Sequence, residues 1–478
     1  MITFDYDNKK GKGIIFGDEF GEIREHFSVP NPAAKFARGY SYIPKRLYAI
    51  TPTGQFNVGL AGEIEMYINS VQKAILVNKT ESFVLAYCPS LSLIPSTKLN
   101  IELRDYQSDA IKLCVRNGRG IIKLGTGAGK TLVIASLIET FYADNKLLRI
   151  LVIVPDLGLT TQTNNDFINY GVNFTHSIWT GSTVLDQGTN VCIVNSSNLQ
   201  SKFEDNEWIK FVDVVIVDEA HKCGSSTKLS KMISQIKTNH KFGFTGTLPE
   251  NNIDKWNVIG KIGPVLIDMS SYELRESGFL SDVKIDIFNI QYNTKPAYVK
   301  SGSTTANYLA ELDFLKSSTY RNNVIKSVCN NFNQNILILV NHIEHGEKLF
   351  QLLTDKLSEK KSIYFIRGEV DVDEREKIKN IMEVQQNVIC VAISAIFSTG
   401  INIKNIHMII FAAGGKSFIR TVQSIGRGLR LHENKVNLKI IDISDNLKYG
   451  KQHSDARIKI YDKEKIKYIS HNLQSSVE

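Results

Sequence analysis

From about residue 100 onward, short apolar runs alternate with longer stretches whose apolar residues recur every three or four positions. The runs at 120–124, 150–154, 191–194, 212–217 and 241–245 are continuous and β-rich, so they predict strands buried on both faces. Between the first two, 130–142 keeps a helical period. The pattern then restarts: 336–340, 363–366, 388–393, 407–411 and 438–443 predict a second set of strands, separated by helical segments such as 343–357. Strands alternating with helices predict parallel sheets with helices on both faces. The expectation is an α/β chain of two tandem doubly wound parallel-sheet domains, with the changeover near 270–285 and a loop at 293–307. Residues before about 95 are richer in Gly, Pro and aromatics, with strand-like pieces at 13–16 and 83–87 and a helix at 62–71. They predict a small α+β domain. The expected boundaries are therefore 1–95, 96–272, 273–447 and a basic helical tail at 448–478.

A length of 478 residues agrees, since one hydrophobic core rarely serves a chain of that size. No apolar stretch is long enough to cross a bilayer, and residues 1–7 lack the basic-then-apolar layout of a signal peptide. A soluble, cytoplasmic protein with no membrane partner is expected. The six cysteines are scattered without a CxxC or Cys/His cluster, which argues against zinc, iron–sulfur clusters and a disulfide framework. His342 and His345 are three apart but have no third ligand in the pattern. A formal charge of +8 permits a polyanionic partner without requiring one.

The strongest chemical signal is Gly125-Thr126-Gly127-Ala128-Gly129-Lys130-Thr131, which follows a predicted strand and opens a predicted helix. Glycines let backbone N–H groups converge on phosphate oxygens, and the helix N-terminus adds partial positive charge. Lys130 would reach the β- and γ-phosphates, and the Thr131 hydroxyl would hold Mg²⁺. Leu124 stands where the strict form of such loops has its first glycine. Downstream, 214–217 runs into Asp218-Glu219-Ala220-His221. Carboxylates at the end of a parallel strand face the ligand crevice. Asp218 can hold Mg²⁺, and Glu219 can orient and deprotonate an attacking water. Alone, an Asp-Glu pair after a strand is usually a solvated turn. Behind a phosphate loop it reads as hydrolytic machinery.

Asp218-Glu219-Ala220-His221 resembles the DEAH box of superfamily-two helicases, and the rest of that family's motif series occurs in order. Arg104 and Gln107 resemble the motif that contacts the adenine. Pro155 and Gln162, with Val154 and Leu159, resemble the motif that touches the nucleic-acid backbone. Thr245-Gly246-Thr247 resembles the motif linking ATP state to strand grip. Gly400 and Asn402 lie in a likeness of the fifth motif, 398–402, and Gln423, Arg427 and Arg430 in one of the sixth, 423–430. The resemblance implies two RecA-like domains, ATP and Mg²⁺ as cofactors, and an ATP-binding set of Arg104, Gln107, the loop from Gly125 to Thr131, Gly400 and Asn402. It implies Lys130, Asp218, Glu219, Arg427 and Arg430 as catalytic, and His221, Thr245, Thr247 and Gln423 as coupling residues. Arg427 and Arg430 are spaced so that one helical face presents both to the γ-phosphoryl charge. Thr180 and Ser182 sit where the family's backbone-contacting loops sit, although in isolation they read as turn residues.

Residues 397–401 and 422–427, with 368–371, 36–40 and 56–60, are similar to segments of the phage UvsW-type helicases. That resemblance implies branched DNA as the partner, an activity of branch migration and fork regression in recombination, repair and replication, and the host cytoplasm as location. A monomer is compatible with it. Arg38 and Arg46, with Lys35, Lys45 and nearby aromatics, would grip nucleic acid; a solvated basic face is an equal reading. The basic tail reads first as a surface helix. The rival enzymes are an RNA helicase and the motor subunit of a restriction system. The rival outside enzymes is an ATP-switched DNA-binding or annealing protein, against which Glu219 and the two arginines argue, because a switch does not need hydrolysis.

Overall fold

The fold is described from a computed structural model, for residues 1–36, 43–71, 75–95, 99–181, 183, 185–186, 188–203, 206–224, 227–294, 296–298, 304–367, 372–394, 403, 405–412 and 437–475. They form two compact units, one built from Met1–Gly125 and Gly129–Met269, the other chiefly from Ser270–Glu478.

The first unit opens with strands β1 (Ile2–Asp7), β2 (Lys12–Gly17), β3 (Ser28–Pro30), β4 (Arg46–Tyr48), β5 (Gln55–Phe56) and β6 (Val77–Lys79). They give a mixed four-stranded sheet, β5-β2-β1-β6, and a separate β3–β4 ladder. Residues 83–87, strand-like in sequence, lie in a helix, Glu81–Tyr87. Five apolar residues do not distinguish the two states; the Thr80 hydroxyl does, by accepting the Phe83 N–H as a cap. This N-terminal part has its own sheet but shares a continuous core with the domain that follows. The Val58–Leu60 turn lies so close to the helix Asn252–Ile262 that a Cβ on Gly59 would stand 2.3 Å from the Ile259 carbonyl oxygen. Phe27 packs on Trp256 with ring centroids 5.0 Å apart. The buried Arg119 guanidinium donates to the carbonyls of Ile262 (2.8 Å), Ala86 (2.9 Å) and Lys261 (3.2 Å), tying the two parts together.

The main sheet of this unit comprises β7 (Gly120–Leu124), β8 (Ile150–Val154), β9 (His176–Trp179), β10 (Val191–Asn195), β11 (Val214–Asp218), β12 (His240–Thr245) and β13 (Val265–Met269). All pair in parallel, in the order β13-β7-β12-β11-β8-β10-β9. Every residue of β8 is buried, which is why it reads as an unbroken apolar run. The helix Lys130–Asp144 buries ten consecutive residues, Leu132 to Phe141. Two of its polar members find partners inside: the Thr140 hydroxyl donates to the Ser136 carbonyl, and Glu139 accepts from the Asn173 amide.

The second unit repeats the plan with β14 (Asp282–Gln291), β15 (Ile336–Val340), β16 (Ser362–Ile366), β17 (Val388–Ile393), β18 (Met408–Phe411), β19 (Asn437–Asp445) and β20 (Tyr468–Gln474). These too are all parallel, ordered β16-β17-β15-β18-β19-β14-β20. The tail therefore differs from a plain basic surface helix. Lys448–Lys463 is helical, but β20 then joins the sheet beside β14, and Arg457 is buried in a fork with Asp442. β20 is exposed along almost its whole length and mixes polar with apolar residues, which makes it illegible as a strand, and one carboxylate removes Arg457 from the basic face.

Among the described residues no cluster of three or more His, Cys, Asp or Glu side chains is placed as a metal site, and His345 faces Asn322. It is buried beside Asn322, and burial, then the nearby Arg321, push it down to about 3. Its unfolded counterpart titrates near 6.5, so the unfolded chain binds the extra proton first. Stability from this residue is full above about pH 6.5 and is lost as pH falls towards 3. His345→Gln should flatten that acid limb of urea-unfolding midpoints between pH 7 and 4; an unchanged slope would refute it.

Candidate active site

Ligands of open parallel sheets bind at the carboxyl ends of the strands. In the first unit that edge carries, in order, the loop after β7, Pro155 after β8, Thr180 after β9, Asp218 and Glu219 at the end of β11, and Thr245 at the end of β12. Residues far apart in sequence are thus brought to one edge by topology.

The loop after β7 turns on glycines whose backbone an L side chain resists: Gly127 has φ +92° and Gly129 +76°. Gly129 starts the helix Lys130–Asp144, whose first N–H groups have no intrahelical partner. Lys130 Nζ donates to the Leu124 carbonyl at 3.2 Å, folded back across its own loop. Gln107 is buried under that loop. Its Oε1 accepts the Arg104 N–H (3.0 Å), and a Cβ at position 129 would come within 2.6 Å of its Nε2. Gly129 is required on two counts, backbone and contact. The Arg104 guanidinium donates to the Tyr106 hydroxyl at 3.3 Å. This donor set of turned amides, helix N-terminus and one lysine fits phosphate oxygens.

Asp218 and Glu219 stand where strand gives way to turn. Glu219 adopts the left-handed conformation (φ 53°, ψ 49°), which costs a non-glycine residue on the order of 1–3 kcal/mol. The strain aims its carboxylate at His221, whose Nδ1 lies 3.1 Å from Glu219 Oε2 and 3.0 Å from the Thr245 hydroxyl. The Thr245 hydroxyl gives its own proton to the Thr247 carbonyl (2.7 Å), so it meets His221 as an acceptor. Nδ1 of His221 consequently carries a proton and bridges Glu219 to Thr245. Burial, and then the charge of Glu219, push Asp218 up to about 6. Burial also acts upward on Glu219, but the His221 hydrogen bond and the Lys130 charge outweigh it and hold Glu219 down. Two adjacent buried carboxylates repel; Glu219 keeps the charge because it has the histidine. Asp218, with the half-buried Thr131, offers the hard oxygen ligands that a divalent cation would relieve.

The remaining residues on this edge are tied to one another. Pro155 gives its carbonyl to the Ser196 hydroxyl (3.0 Å), and half-buried Gln162 lies on the helix Leu157–Tyr170 capped by Asp156. The Thr180 N–H donates to the Thr183 hydroxyl (2.7 Å), closing a compact turn. Thr183 is not singled out by sequence reasoning, though a threonine three residues after another is a turn signal. Arg46 is engaged elsewhere: its Nε pairs with Glu25 (2.9 Å) and donates to Ser28 (2.9 Å), so it ties the β3–β4 ladder. Arg38, Ser182, Gly400, Asn402, Gln423, Arg427 and Arg430 lie outside the described residues.

Residues 100–250 match the family model of the type III restriction enzyme res subunit, and 319–432 that of the helicase conserved C-terminal domain; together they span more than half of the chain. The chain is 28% identical to the ATP-dependent DNA helicase uvsW of Enterobacteria phage T4, over 94% of this chain and 95% of that one. It is 24% identical to the DNA 3'-5' translocase XPB2 of Sulfurisphaera tokodaii, over 72% of this chain and 82% of that one. Among solved structures, the DNA-bound ATP-dependent Type ISP restriction-modification enzyme LlaBIII matches with a TM-score of 0.59 at 16% identity, covering 90% of this chain and 37% of that one. That last likeness concerns the fold, and it agrees with two tandem RecA-like domains. With 100–250 and 319–432 matched by these two family models, a phosphate loop and acidic box at one sheet edge, and a relative similar from end to end, this chain belongs to the superfamily-two helicases, which are ATP-dependent enzymes.

Proposed function

We propose that the chain is an ATP- and Mg²⁺-dependent DNA translocase acting on branched DNA, by branch migration and fork regression. The observation that carries the motor reading is the hydrogen-bonded line from Glu219 through His221 to Thr245 and Thr247. A side chain suited to activating water is thereby linked to the loop ending the next strand, so a change at one is felt at the other. The end-to-end similarity to the uvsW DNA helicase supports DNA as the substrate; branched DNA is what the likeness of 397–401 and 422–427 to UvsW-type segments implies.

In this reading Lys130 and the turned amides of the loop bind the phosphates of ATP, and Gln107 with Arg104 flanks the base. Asp218 and Thr131 would hold Mg²⁺, which supplies charge neutralisation at the transferred phosphoryl group. Glu219 orients the attacking water and takes its proton. Arg427 and Arg430 would complete the charge stabilisation on the expected second-domain side. Pro155, Gln162, Thr180 and Ser182 would contact the sugar-phosphate backbone, which carries no sequence information, so binding should be sequence-independent and salt-sensitive.

Steady-state ATPase activity with single-stranded DNA, blunt duplex, a four-way junction and RNA, beside Lys130→Ala, tests this. Junction DNA should stimulate most, and the variant should lose all stimulation. Stimulation by RNA alone would overturn the DNA assignment and favour an RNA helicase. Equal stimulation by any duplex would replace the branched substrate with plain duplex translocation.

A further inference from the structure

A recess in the first unit lies away from the strand ends that carry the candidate active site. It is a cavity of about 460 Å³ bounded by the β1–β2 turn, the Val58 turn and the loop leading into β12. Its walls include the amino-terminal start of β12 and the residue preceding β7, whereas Thr245 and the phosphate loop follow the opposite ends of those strands. At about 3.3 Å per residue, the two regions are on the order of 15 Å apart along β12.

The cavity is basic throughout. Lys12, Arg119, Lys241 and Lys261 line it, with Lys9, Lys10 and Lys237 alongside, and no aspartate or glutamate does. Arg119 and Lys241 are buried. Lys241 Nζ donates to the Ile233 carbonyl (2.7 Å), Lys12 Nζ to the Asn57 side-chain oxygen and Lys261 Nζ to the Ser230 hydroxyl. Each ammonium thus has a neutral acceptor that holds it in place without cancelling its charge. Among the described residues, none of these four cations stands in an ion pair. Structural lysines are seldom gathered without a carboxylate, because burying like charges together is unfavourable. The cost falls on their protonation. Burial, then the charges of Arg119 and Lys12, bring Lys241 down to about 7, and burial above all brings Lys261 down to about 8.

We propose that this cavity is a second anion site, separate from the ATP site, that takes a small polyphosphate: pyrophosphate or the phosphate end of a nucleotide. Its volume suits a small ligand and far exceeds that of one phosphate. A recess walled by two parts of one unit suits a free anion better than a nucleic-acid backbone, which needs an open track. Once bound, such an anion would bridge the β1–β2 turn to the start of β12 through charge-assisted hydrogen bonds from Lys12, Lys241 and Lys261.

The test uses the full chain carrying Lys130→Ala, so that the phosphate loop contributes little. Calorimetric titration with pyrophosphate should show one binding event, weakened at least about tenfold when Lys12→Gln and Lys261→Gln are added. In parallel, brief lysine acetylation near pH 7.5, mapped by peptide mass spectrometry, should show pyrophosphate protecting the half-buried Lys12 and Lys261 and sparing exposed Lys348; this readout needs no cavity variant to fold. No binding in the Lys130→Ala protein, or protection spread evenly over all lysines, would overturn the proposal. Protection by a single-stranded oligonucleotide but not by pyrophosphate would overturn the free-anion assignment and make the cavity a backbone contact.

Discussion

Replacing Glu219 by Gln should lower the kcat of nucleic-acid-stimulated ATP hydrolysis by about 10²–10⁴-fold, the usual contribution of a positioned general base, while nucleotide still binds. The amide is isosteric and keeps an oxygen that can accept from His221 Nδ1, so the bridge to Thr245 survives. What disappears is the ability to take a proton from water. Glu219 is fitted for that duty because the histidine and Lys130 keep it ionised against the pull of burial, while neighbouring Asp218 is the carboxyl that is driven up. Single-turnover hydrolysis and binding of a fluorescent nucleotide analogue, measured on the same preparation, separate the two effects. A variant that hydrolyses at the native rate would remove Glu219 from the chemistry. A variant that hydrolyses nothing yet remodels junction DNA normally would revive the reading of an ATP-switched annealing protein.

The parts of this fold that are legible in sequence are those where one physical demand dominates. β8, β10, β15 and β17 are covered on both faces, so their composition alone marks them. β9 and β20 lie at sheet edges and mix polar with apolar residues, and neither stands out as a continuous run. The 83–87 segment fails for another reason: a seven-residue helix is too short for its period to outweigh a run of apolar residues. The N-terminal part is recognisable by composition as different, but nothing in composition reveals that it would share a core with the next domain. That union depends on Arg119, Gly59 and Trp256, contacts between residues up to 229 positions apart.

The site follows the same rule. Lys130, Asp218, Glu219 and Thr245 can be picked out in sequence because the proposed phosphate chemistry calls for particular residues at the ends of particular strands. Their hydrogen-bonded order, with His221 between Glu219 and Thr245, depends on β11 and β12 being neighbours, which sequence order does not state. The basic cavity is illegible altogether. Lys12, Arg119, Lys241 and Lys261 come from four separate segments, each an ordinary basic residue until the chain folds.

In the second unit, Asp442→Ala should cost about 3–5 kcal/mol, the usual consequence of leaving a buried charge without its partner. Asp442 is fully buried on β19 and receives a fork from Arg457, Nη2 to Oδ1 at 2.7 Å and Nε to Oδ2 at 2.9 Å, with the Tyr461 hydroxyl adding a third donor at 2.7 Å. Arg457 and Tyr461 belong to the helix Lys448–Lys463, so this carboxylate fastens the tail to the sheet and positions the chain for β20. Removing the carboxylate leaves a buried guanidinium without its fork. The pair itself contributes less than that loss, because desolvating both charges offsets most of their attraction. The double change Asp442→Leu with Arg457→Met should therefore recover most of what the single change loses. Urea unfolding of the three proteins, with limited proteolysis at 448–474 as a local readout, separates the alternatives. If the double variant is no more stable than Asp442→Ala, then specific geometry at the fork, and not an orphaned charge, holds the tail helix on the sheet.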